Sequence, residues 1–250
     1  MNRADSPLPD IPEVSADLVA ADLGLIGYDA AMEFQRRLHA RVAARKGRTQ
    51  YLLLLEHEPV ITIGRAGKRE HILYSEAELA ARGVIARQAE RGGDVTFHGP
   101  GQIVGYPIID LTRAGGDVVG YLRRLESILI SVLGEYNVVA QRRPGYTGVW
   151  VGMEKIAAIG VNVRKGVASH GFALNVSVDL DYFSLIIPCG IVGCAVTSME
   201  KTLGRKVALP EIERRLIRGF ACDFAMADVR TFFLQRSTSG AQWIGGERLD

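Results

Sequence analysis

Apolar residues between Tyr28 and Lys46 fall three or four apart, at Ala31, Phe34, Leu38 and Val42, with charges between them. That spacing places one apolar stripe on one face of an α-helix. Residues 118–133 repeat the pattern with Val118, Leu122, Leu125, Leu129 and Val132, and Gly134 is the expected C-terminal glycine. Pro210 opens a further helix running to about Met226, since proline is tolerated in a first turn. Ser75 and Glu78 have the spacing of a capping box for a short helix ending at Gly83. Between these segments the period changes. YLLLLE (51–56) and VITIG (60–64) are short apolar runs separated by Glu58-Pro59, and they read as two strands with a turn. VIARQ (84–88), VVA (138–140), GVWV (148–151), KIAAIGVNV (155–163) and FALNVSV (172–178) also read as strands.

The order is helix, strands, helix, many strands, helix. It predicts a mixed β-sheet flanked by helices, an α/β protein of the α+β type rather than a doubly wound one. Residues 1–15, rich in Pro and Asp, read as a flexible leader, 16–235 as a single catalytic domain, and 236–250, mixing Ser, Gly and charge, as a tail.

Composition narrows the function. Hydrophobic residues make up 48% and charged residues 23% of 250 residues, the balance of an ordinary globular chain. A net charge of +2 argues against a dedicated nucleic-acid binder. There is no apolar run long enough to span a membrane. The three cysteines, Cys189, Cys194 and Cys222, do not form a disulfide framework, and no secretory or transit signal opens the chain. Both features point to a reducing cytoplasm. No Cys-x-x-Cys or His-Glu-x-x-His pair supports a metal site, and Walker, dinucleotide-binding and serine-hydrolase motifs are absent.

Three stretches carry candidate chemistry. RGGDVTFHGPGQIVGYPIIDL (91–111) places Arg91, Gly92, Gly93, His98, Gly99, Pro100, Gly101 and Gln102 within a dozen residues. Such glycines let backbone N–H groups converge on a ligand, though a glycine-rich hairpin with a satisfied histidine has the same composition. In GVWVGMEKIAAIGVNV (148–163), Lys155 heads an apolar strand; it either snorkels to solvent or, held in an apolar pocket, acts as a base. In IIPCGI (186–191), Pro188 and Gly190 hold Cys189 on a turn, either as a presented nucleophile or as one more buried sulfur. Cys222 is expected on the apolar side of the last helix, with a structural role like that of Cys194.

Taken together, RGGDVTFHGPGQIVGYPIIDL, KIAAIGV with HGFALNV, and IIPCGIVGCAVTSM resemble the lipoyl(octanoyl) transferases in order and spacing, over about Leu52 to Phe224. The resemblance implies the fold shared by biotin and lipoate protein ligases, which is the class II aminoacyl-tRNA synthetase and biotin synthetase-like fold. It implies transfer of an octanoyl group from octanoyl-acyl carrier protein to a lysine of lipoyl domains, such as those of 2-oxoacid dehydrogenase E2 subunits and the glycine-cleavage H protein. Cys189 corresponds to the acyl-carrying cysteine and Lys155 to the lysine that activates it. Arg91, Gly92, Gly93, Asp94, Val95, Thr96, Phe97 and His98, with Ala158, Ile159, Gly160, Gly171, Phe172 and Ala173, correspond to the segments lining the acyl pocket. No cofactor, metal, nucleic acid or membrane is implied, and the expected state is a monomer. Asp94 departs from the family pattern, where a neutral amide or a basic residue is usual.

The chemistry fits the residue types. A thioester donor is already activated, so no ATP is needed. A cysteine thiol titrates at about 8.5, and a neighbouring cation favours the thiolate. Lys155, 34 residues upstream, is the expected neighbour. Arg142 and Arg143 are candidates for a basic rim facing an acidic carrier. Alternatives are an ATP-dependent lipoate or biotin ligase of the same fold, an octanoyl amidotransferase acting between lipoyl domains, and a non-catalytic lipoyl-domain binder.

Overall fold

The spacing that marks Tyr28–Ala44 as a helix also decides what it buries: Ala31, Phe34, Leu38 and Val42 are all in the core, while Arg36 and Arg37 lie outside the stripe. A computed structural model describes residues 8–44, 49–113, 115–187, 195–238 and 240–249. In chain order the elements are β1 (Leu18–Ile26), α1 (Tyr28–Ala44), β2 (Gln50–His57), β3 (Val60–Ile63), α2 (Glu76–Ala81), β4 (Ile85–Gln88), β5 (Val95–His98), β6 (Gln102–Ile108) and α3 (Val118–Gly134). They continue with β7 (Gln141–Arg143), β8 (Tyr146–Val151), β9 (Glu154–Arg164), β10 (Val167–Asn175), α4 (Met199–Leu203), α5 (Leu209–Asp223), β11 (Val229–Ser237) and β12 (Gly240–Arg248).

A nine-stranded mixed sheet runs β12-β11-β1-β2-β6-β10-β9-β8-β7, and a three-stranded sheet runs β4-β3-β5. β1 is parallel to β2 and β11, and the remaining pairs of the large sheet are antiparallel. β2 explains why a strand can be apolar throughout. Leu52 and Leu54 face the core built by α3 and α5, whereas Tyr51, Leu53 and Leu55 face the core built by α1. A strand covered on both faces needs no polar alternation. A third, smaller core packs β3 and β5 against Phe183, Leu185 and Ile186. Among the described residues no helix is long and apolar enough to cross a membrane.

The mixed sheet flanked by helices is as expected, and so is the capping box: Ser75 N–H donates to Glu78 Oε2 at 2.8 Å and Glu78 N–H to Ser75 Oγ at 3.3 Å. The two strands and the turn at Glu58-Pro59 are also as expected, and that turn carries the chain from the large sheet to the small one. Several other expectations need correction. Gly134 closes α3 from inside the helix, and the left-handed residue that follows is Asn137, at φ 62°. VVA (138–140) is not a strand; pairing begins at Gln141. Residues 240–248, which read as a tail, form β12 against β11, and Trp243 stacks on Phe34 of α1 with ring centroids 5.8 Å apart. At the other end, Leu8 and Ile11 of the expected leader are buried in the α1 core. Cys222 is exposed rather than on the apolar side of α5. It lies two residues beyond Phe220, which puts it on the opposite side from the buried Ile212, Leu216 and Phe220.

Candidate active site

The turn joining β5 to β6 positions the site. Gly101 adopts φ +85°, and a Cβ there would lie 2.7 Å from the Ser177 carbonyl carbon, so only glycine lets the turn lie against the end of β10. Its carbonyl accepts from Val176 N–H at 3.1 Å and Ser177 N–H at 2.9 Å. Its own N–H, expected to point at a ligand, donates instead to Glu56 Oε2 at 2.6 Å.

From this turn a directional chain of hydrogen bonds crosses the interior. Arg91 Nη2 donates to Thr62 Oγ1 at 2.7 Å, and Thr62 Oγ1 lies 3.3 Å from His98 Nε2. His98 Nδ1 lies 2.7 Å from Gln102 Oε1. Gln102 Nε2 donates to Asn175 Oδ1 at 2.9 Å, Asn175 Nδ2 to the Thr197 carbonyl at 3.0 Å, and Thr197 N–H to the Lys155 carbonyl at 3.0 Å. Because Gln102 uses its amide hydrogens elsewhere, its oxygen faces His98, so His98 donates from Nδ1 and accepts from Thr62 at Nε2. The ring is thereby held neutral, in agreement with burial and the nearby His57 and Arg91 pushing its pKa well below the ordinary value. The glycine-rich loop, the end of β10, Thr197 and Lys155 are thus one connected unit.

Above this chain lies a cavity of about 340 Å³. Of the sequence-predicted residues it is lined by Arg91, Gly93, Asp94, Val95, Thr96, His98, Lys155, Ala158, Ile159, Gly160, Gly171, Phe172 and Ala173. Gly92 and Phe97 are not in the lining. Gly92 N–H bonds the Val161 carbonyl at 2.9 Å, and the Phe97 ring stacks on Tyr182 in the third core with centroids 4.7 Å apart. Alternation along β5 turns Phe97 away while Thr96 and His98 face the cavity. Gly160 allows the 91–93 loop to lie on β9: a Cβ there would meet the Gly92 carbonyl oxygen at 2.8 Å.

Sequence reasoning missed Tyr28, Thr62, Ala66, Val104, Tyr106, Gly145, Tyr146, Thr147 and His170, which complete the wall. His170 stood in the HGFALN string, and Val104 and Tyr106 in the 91–111 stretch, so a signal was there; Tyr28 and Thr62 carried none.

The interior of this site favours neutral rings. His57 is fully buried, with Nδ1 3.1 Å from the Ile26 carbonyl and Nε2 2.7 Å from Tyr106 Oη, and burial pulls its pKa to about 4. Burial, with the charges of Arg91 and Arg65, pulls His170 to about 4, and burial pushes Tyr28 up to about 12. Lys155 is only 6% exposed, and its Nζ lies over the Trp150 ring, 4.8 Å from the centroid. The departing Asp94 pairs with His71, whose Nδ1 is 2.8 Å from Oδ1, and Asp94 Oδ1 also accepts from Val95 N–H at 2.7 Å.

Cys189 and Cys194 lie outside the described residues, so the expected Cys189–Lys155 approach is not observed. The flanks of that segment are described. Ile187 N–H donates to the His71 carbonyl at 2.8 Å, and Lys155 N–H to the Ala195 carbonyl at 2.9 Å. Of the two expected rim arginines, Arg142 donates from Nε to Glu126 Oε2 at 2.9 Å, a carboxylate with no exposure, and Arg143 lies over the Tyr146 ring at 4.8 Å. Among the described residues, no group of three or more His, Cys, Asp or Glu could hold a metal ion.

The family model described as the lipoyl protein ligase A/B catalytic domain matches residues 27–221. An octanoyltransferase of Geobacter metallireducens is 50% identical over 203 residues, covering 81% of this chain and 92% of that relative. An octanoyltransferase of Chloroflexus aurantiacus is 50% identical over 210 residues, covering 82% and 92%. The crystal structure of lipoate-protein ligase A bound with ATP superposes with a TM-score of 0.67 at 16% identity, over 89% of this chain and 90% of that one, a likeness of fold. Matching the family model from 27 to 221 and identical to those relatives at half of the aligned positions, the chain is an acyltransferase and belongs to the octanoyltransferases of the lipoyl protein ligase A/B catalytic domain family.

Proposed function

We propose that the protein moves an octanoyl group from the thioester of octanoyl-acyl carrier protein to the ε-amine of a lysine in a lipoyl domain, by way of a thioester on Cys189. The acceptors are the lipoyl domains of 2-oxoacid dehydrogenase E2 subunits and the glycine-cleavage H protein. One observation carries the reading. Lys155 is buried at the wall of an acyl-sized cavity, and its backbone is bonded to residues 195–197, which follow the Cys189 segment, through the Ala195 carbonyl and Thr197 N–H.

In the first half-reaction the Cys189 thiolate attacks the thioester carbonyl, and the tetrahedral intermediate expels the carrier thiolate, which takes up a proton. In the second, the acceptor amine attacks the octanoyl-Cys189 carbonyl, loses a proton, and expels the Cys189 thiolate. Lys155 is the acceptor and relay for that proton. The acyl chain lies against Val104, Ala158, Ile159, Phe172 and Ala173, and selection among chain lengths follows from apolar burial.

Intact-protein mass after mixing with octanoyl-acyl carrier protein, without ATP, tests this. Wild type gains one hydroxylamine-labile octanoyl group, Cys189→Ala gains none, and a lipoyl domain discharges the loaded enzyme. If neither gains mass and a lipoyl domain is modified only with ATP and free octanoate, the protein is a ligase and the thioester route is wrong.

A further inference from the structure

The acyl-sized cavity has a neighbour. A second cavity, of about 680 Å³, lies between α1 and the β9–β10 hairpin. Two residues line both spaces, Tyr28 and His170. They come from different elements, the first residue of α1 and a mid-strand position of β10, and both are buried, at 4% and 7% exposure.

His170 is held there against its backbone preference. Its φ is +56°, in the left-handed region that residues other than glycine adopt only at a cost. The conformation is fixed by its N–H, which donates to Gln35 Oε1 of α1, and by its pairing with Val161 in β9. Its ring stands edge-on to Tyr106, with centroids 6.1 Å apart. Glycine would satisfy the same backbone without strain, so what the position retains at a cost is the imidazole itself.

Its place in the ladder gives that ring a role. β9 and β10 pair Ala158 with Ala173, Ile159 with Phe172, Gly160 with Gly171 and Val161 with His170. Lys155 stands at one end of this series, and His170 is the cavity-lining residue of β10 farthest from it. We propose that Tyr28 and His170 form the partition that closes the distal end of the acyl pocket and sets the longest chain the enzyme accepts. Beyond it lies a space with Met32, Ala40 and Ala43 on its α1 side and polar groups such as Glu90, Asn162 and Arg164 around them, which a longer chain would enter if the partition were opened. This inference rests on the octanoyl-transfer reading above.

The expected effect is large. With a closed wall, added methylenes find no room; with the wall open, each adds about a fourfold preference through burial. Four of them, the difference between octanoyl and dodecanoyl, multiply to about two-hundredfold at full burial.

The test measures transfer to a lipoyl domain, by intact mass, from octanoyl-, decanoyl-, dodecanoyl- and tetradecanoyl-carrier thioesters. Wild type is compared with His170→Gly, which suits the positive φ, and with Tyr28→Ala, which opens the same wall from α1. Wild type should transfer octanoyl and discriminate sharply against dodecanoyl. The dodecanoyl-to-octanoyl ratio should rise about thirtyfold or more in either variant. A wild type that already transfers dodecanoyl as fast as octanoyl has no partition, and that result overturns the inference without any variant. Variants that transfer octanoyl with the wild-type ratio, within threefold, overturn it while leaving the octanoyl reading intact. If wild type transfers no chain at all, the octanoyl reading itself falls and the partition falls with it.

Discussion

The Gln102 side chain donates to Asn175 Oδ1 at 2.9 Å, joining residues 73 apart in sequence in a wholly buried bond. Asn175 passes the connection to the Thr197 carbonyl, which lies beside Lys155. Asn175→Leu leaves Gln102 Nε2 and the Thr197 carbonyl short of a buried partner. It should lower stability by about 2–4 kcal/mol in urea unfolding. Combined with Gln102→Leu the losses should be less than additive, because the bond between the two residues is then counted once rather than twice. Additive losses would mean that the chain is not a unit.

Lys155 is buried, and its terminal amine lies over the Trp150 ring at the cavity wall. Lys155→Met keeps the stem and removes the amine, so the melting temperature should change little. Octanoyl transfer to a lipoyl domain should fall a hundredfold or more, the usual contribution of a placed proton-transfer group. Lys155→Arg should not restore it, since guanidinium does not give up its proton and is wider. Transfer by Lys155→Met within threefold of wild type would make the lysine structural.

Helices were legible where one face alone is buried, as in α1 and α3, because the 3.6-residue period survives in the sequence. β1 was not: LVAADLGLI is covered over most of its length and interrupted by Asp22, so neither alternation nor a clean apolar run marks it. β12 was hidden because its pairing with β11 is long-range, and its mostly exposed residues look like any polar end. The same division holds at the site. The runs 91–98, 158–160 and 171–173 were reached through the family resemblance, and all of them but Gly92 and Phe97 line the cavity. Tyr28 and Thr62 each arrive alone from another element, and only the packing of two sheets and a helix brings them to the cavity.

The neutral histidines make stability depend on acid. His57 and His170 titrate at about 4 in the folded protein against 6.5 for an ordinary histidine. Between those values the unfolded chain binds protons that the folded one refuses, so stability rises with pH across the window. It is fully present above about pH 6.5 and is lost as pH falls toward 4, at about 3 kcal/mol per histidine. Urea midpoints taken from pH 7 to pH 4 should show it. His57→Gln keeps a donor for the Ile26 carbonyl and should flatten the slope by about one proton. An unchanged slope would mean that another group governs the acid limit.

Glu213 works in the opposite direction. It lies on the buried face of α5, and burial, with the charges of Asp22 and Glu56, raises its pKa to about 8 from an ordinary 4.5. Between those values the folded protein holds a proton that the unfolded chain has released, so stability falls as pH rises through the window. Glu213→Gln keeps the shape and removes the titration. The variant should match wild type near pH 4.5 and exceed it by a margin on the order of 5 kcal/mol above pH 8. The histidine contribution is common to both proteins and cancels in the difference, so paired urea curves across this range isolate the carboxyl. A difference that stays flat with pH would show that Glu213 is ionised in the folded state, and that its neighbours, rather than its own proton, offset the charge.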